Sequence, residues 1–298
     1  METAIQAPAQ TAALVEVRKS ASLWKRFRRH RMAVVGLAFI SAVVFIAVFA
    51  PWLGTMDPTK TSLADSLQSP SREHWLGTDL TGRDVWSRLA YASRVSLIAG
   101  VGSIAIAVTI ALVLGSLSGY YGGIVDMVIM RFTDVIMCIP GLIIIMALVA
   151  VIGPGLINII IAIGVLGWTG MTRLLRAQIL AVREREYVTS ARCSGASNRR
   201  IMLRHVLPNA YQPLLVAATL GVAGAILTEA SLSFLGFGIL PPTPSWGEML
   251  NSAKSLTRLQ ENPWLWVPPG MAILLTVLAI NFIGDGLRDS LDPRQKER

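Results

Sequence analysis

Long apolar runs separated by charged segments dominate the chain. Six windows are apolar over about the twenty residues that a helix needs to cross a ~30 Å hydrocarbon layer. They run from Ala33 to Leu53, Val95 to Leu117, Val135 to Ile152, Leu156 to Leu175, Pro213 to Leu235 and Trp266 to Ile283. Only Gly153-Pro154-Gly155 separates the third from the fourth, a turn signal. In lipid every backbone group must bond internally, so these windows predict helices and not an open sheet. Trp52, Trp168, Trp264 and Trp266 fall near window ends, where amphipathic rings favour the interface. The first window is too long for the ~7–15-residue core of a cleaved leader, so it predicts a retained span.

Charge orients this layout. With the N-terminus inside, the inside segments carry about 20 of the 27 Lys and Arg, 7 of them before the first span and 8 between Arg173 and Arg204. The segment after the first span is balanced by Asp57, Asp65, Glu73, Asp79 and Asp84. The positive-inside rule then puts both termini in the cytoplasm. The expected organisation is a cytoplasmic segment 1–32 with a basic interfacial helix around Trp24 and Phe27, a first span 33–53 and an extracytoplasmic segment 54–94. A core 95–288 containing a loop 176–208 and a cytoplasmic tail 289–298 complete it. The Ala/Thr/Gln-rich first dozen residues are expected to be disordered. Gly115 with Gly119, Gly221 with Ala225, and Gly164 with Gly167 mark expected close helix crossings.

Composition agrees: 53% of residues are hydrophobic and 15% charged, with a mean hydropathy of +0.56. The net charge of +9 lies in blocks between apolar runs, without the interleaved aromatics of a nucleic-acid-binding face. Cys138 and Cys193 offer no disulfide framework, and His30, His74 and His205 share no metal-ligand spacing. None of Lys19, Lys25, Lys60, Lys254 and Lys296 follows a glycine, so no phosphate loop of the Gly-Lys-Ser/Thr kind exists. No zinc-hydrolase or serine-hydrolase motif appears either. No catalytic residue, cofactor site or metal site is therefore assigned to the chain.

The inside segment from Arg173 to Pro208 is too polar for the bilayer and too helix-prone for a linker. It predicts a helix through Glu184, Glu186, Tyr187 and Arg192, a small-residue break at Ser190, Ala191, Ser194, Gly195 and Ala196, and a second helix capped by Ser197. Leu207-Pro208 is expected to stop that helix before span five. Two helices joined by an elbow of small residues form a lever on which an external motor can push, and close approach of two helices and a partner would require the small residues.

Here the chain resembles a known family. Thr189-Ser190-Ala191, three residues, Gly195, nine residues and His205-Val206-Leu207-Pro208 follow the pattern Glu-Ala-Ala-x3-Gly-x9-Ile-x-Leu-Pro of ABC-importer permeases. Thr189 stands where that pattern has Glu, and His205 where it has Ile. Further segments resemble the dipeptide, oligopeptide and nickel permeases of the DppC/OppC type. They are His74 to Asp79, Gly82-Arg83-Asp84, Ser87-Arg88-Leu89, Gly119 to Gly123 with Asp126, Met130-Arg131 and Asp134, Glu229 to Gly236, Pro241 to Gly247, and Gly284 to Asp289 with Leu291-Asp292-Pro293. The resemblance implies an all-α membrane protein of six spans with the type I ABC importer permease fold, in a bacterial cytoplasmic membrane. It implies a coupling helix built on Thr189, Ser190, Ala191, Gly195, Ala196, Ser197, His205, Leu207 and Pro208. It also implies the partners: a second permease of the DppB/OppB type, two ATPases carrying ATP and Mg, and an extracytoplasmic binding protein that delivers di- or oligopeptides.

Other candidates have two readings each. Glu229, the one acid within span five, either bonds at a helix or subunit interface or stands with Ser233 along the solute path. Pro242 and Trp246 lie in a stiff proline-rich loop, which is either an outer gate, a docking surface or plain surface structure. Arg131 and Asp134 share a helix face and are expected to pair near the turn after span two. Asp84 and Arg88 form an i,i+4 pair on an interfacial helix, or contact a delivering protein. Against the importer stand an ion-gradient-driven secondary transporter, for which only Glu229 is a mid-membrane candidate and which would call for an inverted repeat, and a scaffold or sensor, which needs no lever.

Overall fold

The computed structural model describes Trp24 and residues 27–291. The expectations for the first dozen residues, most of the basic N-terminal cluster, and Asp292-Pro293 with the rest of the tail lie outside that range. Among the described residues the chain is helical, with a single isolated bridge between Thr78 and Asp84.

The helices follow from the apolar windows and end where proline or glycine interrupts them. They are α1 Arg31–Val48, α2 Val85–Tyr121, α3 Gly123–Met137, α4 Gly141–Ile152, α5 Leu156–Leu166, α6 Trp168–Arg183, α7 Glu186–Cys193 and α8 Asn198–Ile201. Then come α9 Gln212–Leu235, α10 Trp246–Ser252, α11 Leu256–Glu261 and α12 Val267–Leu291. Five stretches are long and apolar enough to cross a membrane: α1, α2, α5 continuing through α6, α9 and α12. A sixth forms if α3 and α4 count as one span, but they are bent by 85°.

That bend departs from the continuous third span expected over Val135–Ile152. Pro140 has no N–H to donate and disfavours the helical region for Ile139, so α3 ends at Met137 and α4 restarts at Gly141. The first span also stops early: α1 ends at Val48, and Ala50–Leu53 forms a separate turn with Pro51 at its start. At the other extreme, α2 is one unbroken helix of 37 residues, about 55 Å long. It crosses the boundary expected between 94 and 95, because the Asp84 cap starts it at Val85, ten residues before the apolar window opens.

Small residues set close helix crossings, as expected. A Cβ added at Gly115 would lie 3.1 Å from the Leu175 Cβ and from the Thr172 carbonyl oxygen; at Gly119 it would lie 2.9 Å from the Ile179 Cβ. Only glycine lets α2 and α6 approach this far, and lipid supplies no hydrophobic force to replace that packing. Two apolar cores result. The larger joins α2, α5 and α6 to α7 and α8 through Ile159, Leu175, Ile179, Val188 and Ile201. The smaller lies at the opposite end of α2, where Val85, Ile226, Trp246, Leu265 and Ile273 close together.

Candidate coupling elbow and buried polar clusters

The elbow is built as the sequence suggests in outline. Gly195 follows α7 with φ +76°, the left-handed conformation that costs an L side chain roughly 1–2 kcal/mol. Its N–H donates to the Arg192 carbonyl at 3.0 Å, and the Ala196 N–H donates to the Ala191 carbonyl at 3.2 Å, closing the C-terminus of α7. The Ser197 Oγ then accepts from the Arg200 N–H at 3.4 Å and starts α8.

Two expectations change here. Nothing lies within 4 Å of a Cβ added at Gly195, so within this chain the glycine answers to its backbone angle and not to crowding. Nor does Leu207-Pro208 stop the helix. The chain widens into a π turn over Met202–Val206, with the Leu207 N–H donating to the Met202 carbonyl, and continues through Leu207–Ala210 before breaking at Tyr211. The wide turn accommodates a proline whose ring would otherwise meet the preceding carbonyls.

Val188, Ile201 and Val206 are fully buried and anchor the elbow to the larger core. Each contributes roughly 1.5–3 kcal/mol of burial. The Tyr120 hydroxyl donates to the Asn198 Oδ1 at 3.1 Å, and the Arg183 guanidinium donates to the Gly119 carbonyl at 3.0 Å. Both bonds tie the elbow to the end of α2. Thr189, Ser190, Gly195, Ser197 and Pro208 are exposed, while Ala191, Ala196, His205 and Leu207 are half-buried. An open groove of about 420 Å³ lies against α8, lined by Ser197, Arg199, Arg200, Leu203 and Arg204. The elbow thus joins a rigidly held inner side to a free, cationic outer side.

At the other end of α2 the charges face each other. The Arg88 guanidinium donates to the Glu248 carboxylate at 2.6 Å and lies 3.5 Å from Asp79, which Arg83 grips at 2.7 Å. All four side chains are buried. Burial alone would raise the Asp79 carboxyl, but the Arg83 amide and guanidinium, Arg88 and Thr81 outweigh it and hold it below its ordinary range. Burial pushes Glu248 up, with Arg88 pulling it back. The expected Asp84–Arg88 pair does not form. Asp84 instead accepts from the Ser87 N–H at 2.8 Å as the cap of α2, and its other oxygen meets His74 at 3.1 Å. Residues 54–84 are therefore sewn onto α2 and α10.

Glu229 is fully buried, with the Ser96 hydroxyl donating to one carboxylate oxygen at 3.1 Å and the Ser233 hydroxyl to the other at 2.7 Å. Ser96 accepts from the Trp246 N–H at 3.2 Å, and Ser233 from the Ile239 N–H at 3.0 Å. This geometry fastens α9 to α2 and to the loop before α10. Trp246 is fully buried beside it, so its ring offers no docking surface, whereas Pro242 is exposed.

Arg131 does approach Asp134, at 3.7 Å on an exposed face. The stronger ties of that region went unforeseen: Arg176 grips Asp126 with two hydrogen bonds, and Arg173 pairs with Asp134, fastening α3 to α6. Glu248 was missed as well. Ser245-x-x-Glu248 is a legible helix start, and the Ser245 Oγ accepts from the Glu248 N–H at 3.2 Å, but Arg88 lies 160 residues away in the sequence.

Five or six helical stretches long and apolar enough to cross a membrane, packed around buried polar clusters, define a multi-pass membrane protein. Residues 111–297 match the family described as binding-protein-dependent transport system inner membrane component, and residues 20–70 match the N-terminal TM domain of oligopeptide transport permease C. The chain belongs to this permease family. It is similar to the di/tripeptide transport system permease protein DppC of Pseudomonas aeruginosa, with 42% identity over 97% of both chains. It is similar to the oligopeptide transport system permease protein OppC of Bacillus subtilis, with 39% identity over 94% of this chain and 92% of the relative. It is also similar to the glutathione transport system permease protein GsiD of Escherichia coli, with 42% identity over 92% of this chain and 90% of the relative.

Proposed function

We propose that this chain is one permease half of an ATP-driven importer that brings di- or oligopeptides across a bacterial cytoplasmic membrane. The observation that carries the reading is the elbow at Gly195: two helices turned by one left-handed residue, plugged into the bundle on one side and bare on the other. A bare cationic lever fits a protein that is worked from outside, and the chain has no phosphate loop of its own. Separate ATPases, with their ATP and Mg, would seat the surface formed by Thr189, Ser190, Gly195, Ala196 and Ser197, and their closure would rock the bundle by way of α2 and α6. A second, DppB/OppB-like permease would complete the path, and an extracytoplasmic binding protein would deliver the peptide.

Peptide cargo is supported by the names of the relatives, which at closely similar identity cover di/tripeptides, oligopeptides and glutathione. An ion-gradient transporter would need a free mid-membrane carboxylate, and both oxygens of Glu229 are taken up by serines of this chain. The test is Gly195→Trp in the assembled transporter reconstituted into proteoliposomes with binding protein and peptide. ATP hydrolysis should continue while peptide uptake falls to background. Undiminished uptake by that variant, or a Gly195 region that crosslinks to no other polypeptide, would overturn the lever.

A further inference from the structure

Two surface grooves meet at one arginine. The first, about 480 Å³, runs between α1 and α2 and is lined by aliphatic side chains including Val44, Ala47, Val48, Leu97, Ile98 and Val101. The second, about 670 Å³, lies over the turn after α1 and carries Thr55, Asp57, Thr59, Tyr91 and Pro244. Arg94 lines both and is exposed, and among the described residues no carboxylate comes within salt-bridge distance of it.

The depth of Arg94 is set by the sequence. Residues 95–117 of α2 contain no charge, and at 1.5 Å per residue they span about 34 Å, close to one hydrocarbon thickness. Arg94 thus stands at headgroup level. A wholly polar ligand would leave the aliphatic groove unfilled, and a wholly apolar one would strip water from Arg94 without replacing it. An amphiphile with an anion next to its tail satisfies both. Asp57 narrows the choice. Its carboxylate accepts from the Thr59 N–H at 2.8 Å and the Thr59 hydroxyl at 2.6 Å, which keeps it anionic and exposed at the polar groove. It would repel a purely anionic head, attract an ammonium, and accept hydrogen bonds from the N–H groups that a primary ammonium has and a trimethylammonium lacks.

We propose that the two grooves hold one phospholipid with a phosphoethanolamine head, its acyl chain between α1 and α2, its phosphate on Arg94 and its ammonium toward Asp57. A zwitterionic peptide carries the same two charges but has no tail for the aliphatic groove. The test is native mass spectrometry of the assembled transporter, titrated with phosphatidylethanolamine, phosphatidylcholine and phosphatidylglycerol of equal acyl chains. The wild type should retain phosphatidylethanolamine over the other two. Arg94→Gln should weaken that retention about fivefold, Asp57→Asn should erase the preference over phosphatidylcholine while leaving total binding, and Arg131→Gln should do neither. If Arg94→Gln fails to assemble, Arg94→Lys keeps the charge but not the forked donor and should show an intermediate loss. Equal retention of all three lipids by the wild type, or unchanged retention in the Arg94 variants, would overturn the proposal. So would an Arg94→Gln transporter that keeps its lipid but shows a raised KM for peptide uptake.

Discussion

The two ends of α2 treat charge in opposite ways. At one end Asp79, Arg83, Arg88 and Glu248 are buried and paired, and the segment before α2 is stitched down by Asp84 and His74. At the other end Arg185, Arg192, Arg199, Arg200 and Arg204 have no carboxylate within salt-bridge reach among the described residues, and all five are exposed. The charges of the first end satisfy one another within the chain, whereas those of the second face outward.

Mutations should separate these ends. The largest effect is expected from Glu248→Ala, which removes the nearer of the two carboxylates facing buried Arg88. Breaking such a pair costs on the order of 3–5 kcal/mol, which would appear as a collapse of the melting temperature in detergent. If melting hardly moves, the buried network is not what closes this end. Acid probes the same network. Asp79 is held below its ordinary value of 3.8, so its contribution is complete above that pH and is lost as the pH falls through the lower folded value. Proteolysis of residues 54–84 should therefore quicken as the pH falls below about 4.

Glu229→Ala comes next. It strands the Ser96 and Ser233 hydroxyls and should cost about 1–3 kcal/mol in thermal stability, with Glu229→Gln closer to wild type because an acceptor remains. A Glu229→Ala protein of normal stability that loses transport would instead put this residue on the solute path. Gly195→Ala sharpens the other side. It should add roughly 1–2 kcal/mol of local strain and reduce ATPase-coupled uptake, with the melting of the bundle little changed. Smallest of all is Arg199→Ala, expected within about 0.5 kcal/mol on folding but weakening co-purification of the ATPase subunits. A large loss of stability there would mean the cationic surface is structural after all.

Much of this was legible in the sequence because membrane spans are dictated by one dominant cost, the unsatisfied backbone group in lipid. The apolar windows located five of the spans, and Gly115 and Gly119 located one of the close crossings. The elbow could be outlined from Gly195 and Ser197, since left-handed turns and helix caps are local. What could not be read were the pairs that only the fold brings together: Arg88 with Glu248, Arg176 with Asp126, and Glu229 with Ser96. Local charge patterning even misled, pairing Asp84 with Arg88 where the helix cap had the prior claim on the carboxylate. Pro140 and Pro208 show a further limit. Pro208 reads as a stop and Pro140 passes unremarked inside an apolar window, yet Pro140 ends its helix and bends the chain while Pro208 is absorbed by a widened turn.

The length of α2 carries one more consequence. Because a single uninterrupted rod of about 55 Å reaches from the Asp84 cap to the Tyr120–Asn198 bond beside the elbow, no hinge within it can decouple its extremities. A tilt of ten degrees about the elbow would sweep the opposite tip through about 10 Å. If the elbow is the lever proposed above, the buried charges riding on that tip would travel as cargo on a tiller, and the loop they pin would fall out of step with it only if the rod itself breaks.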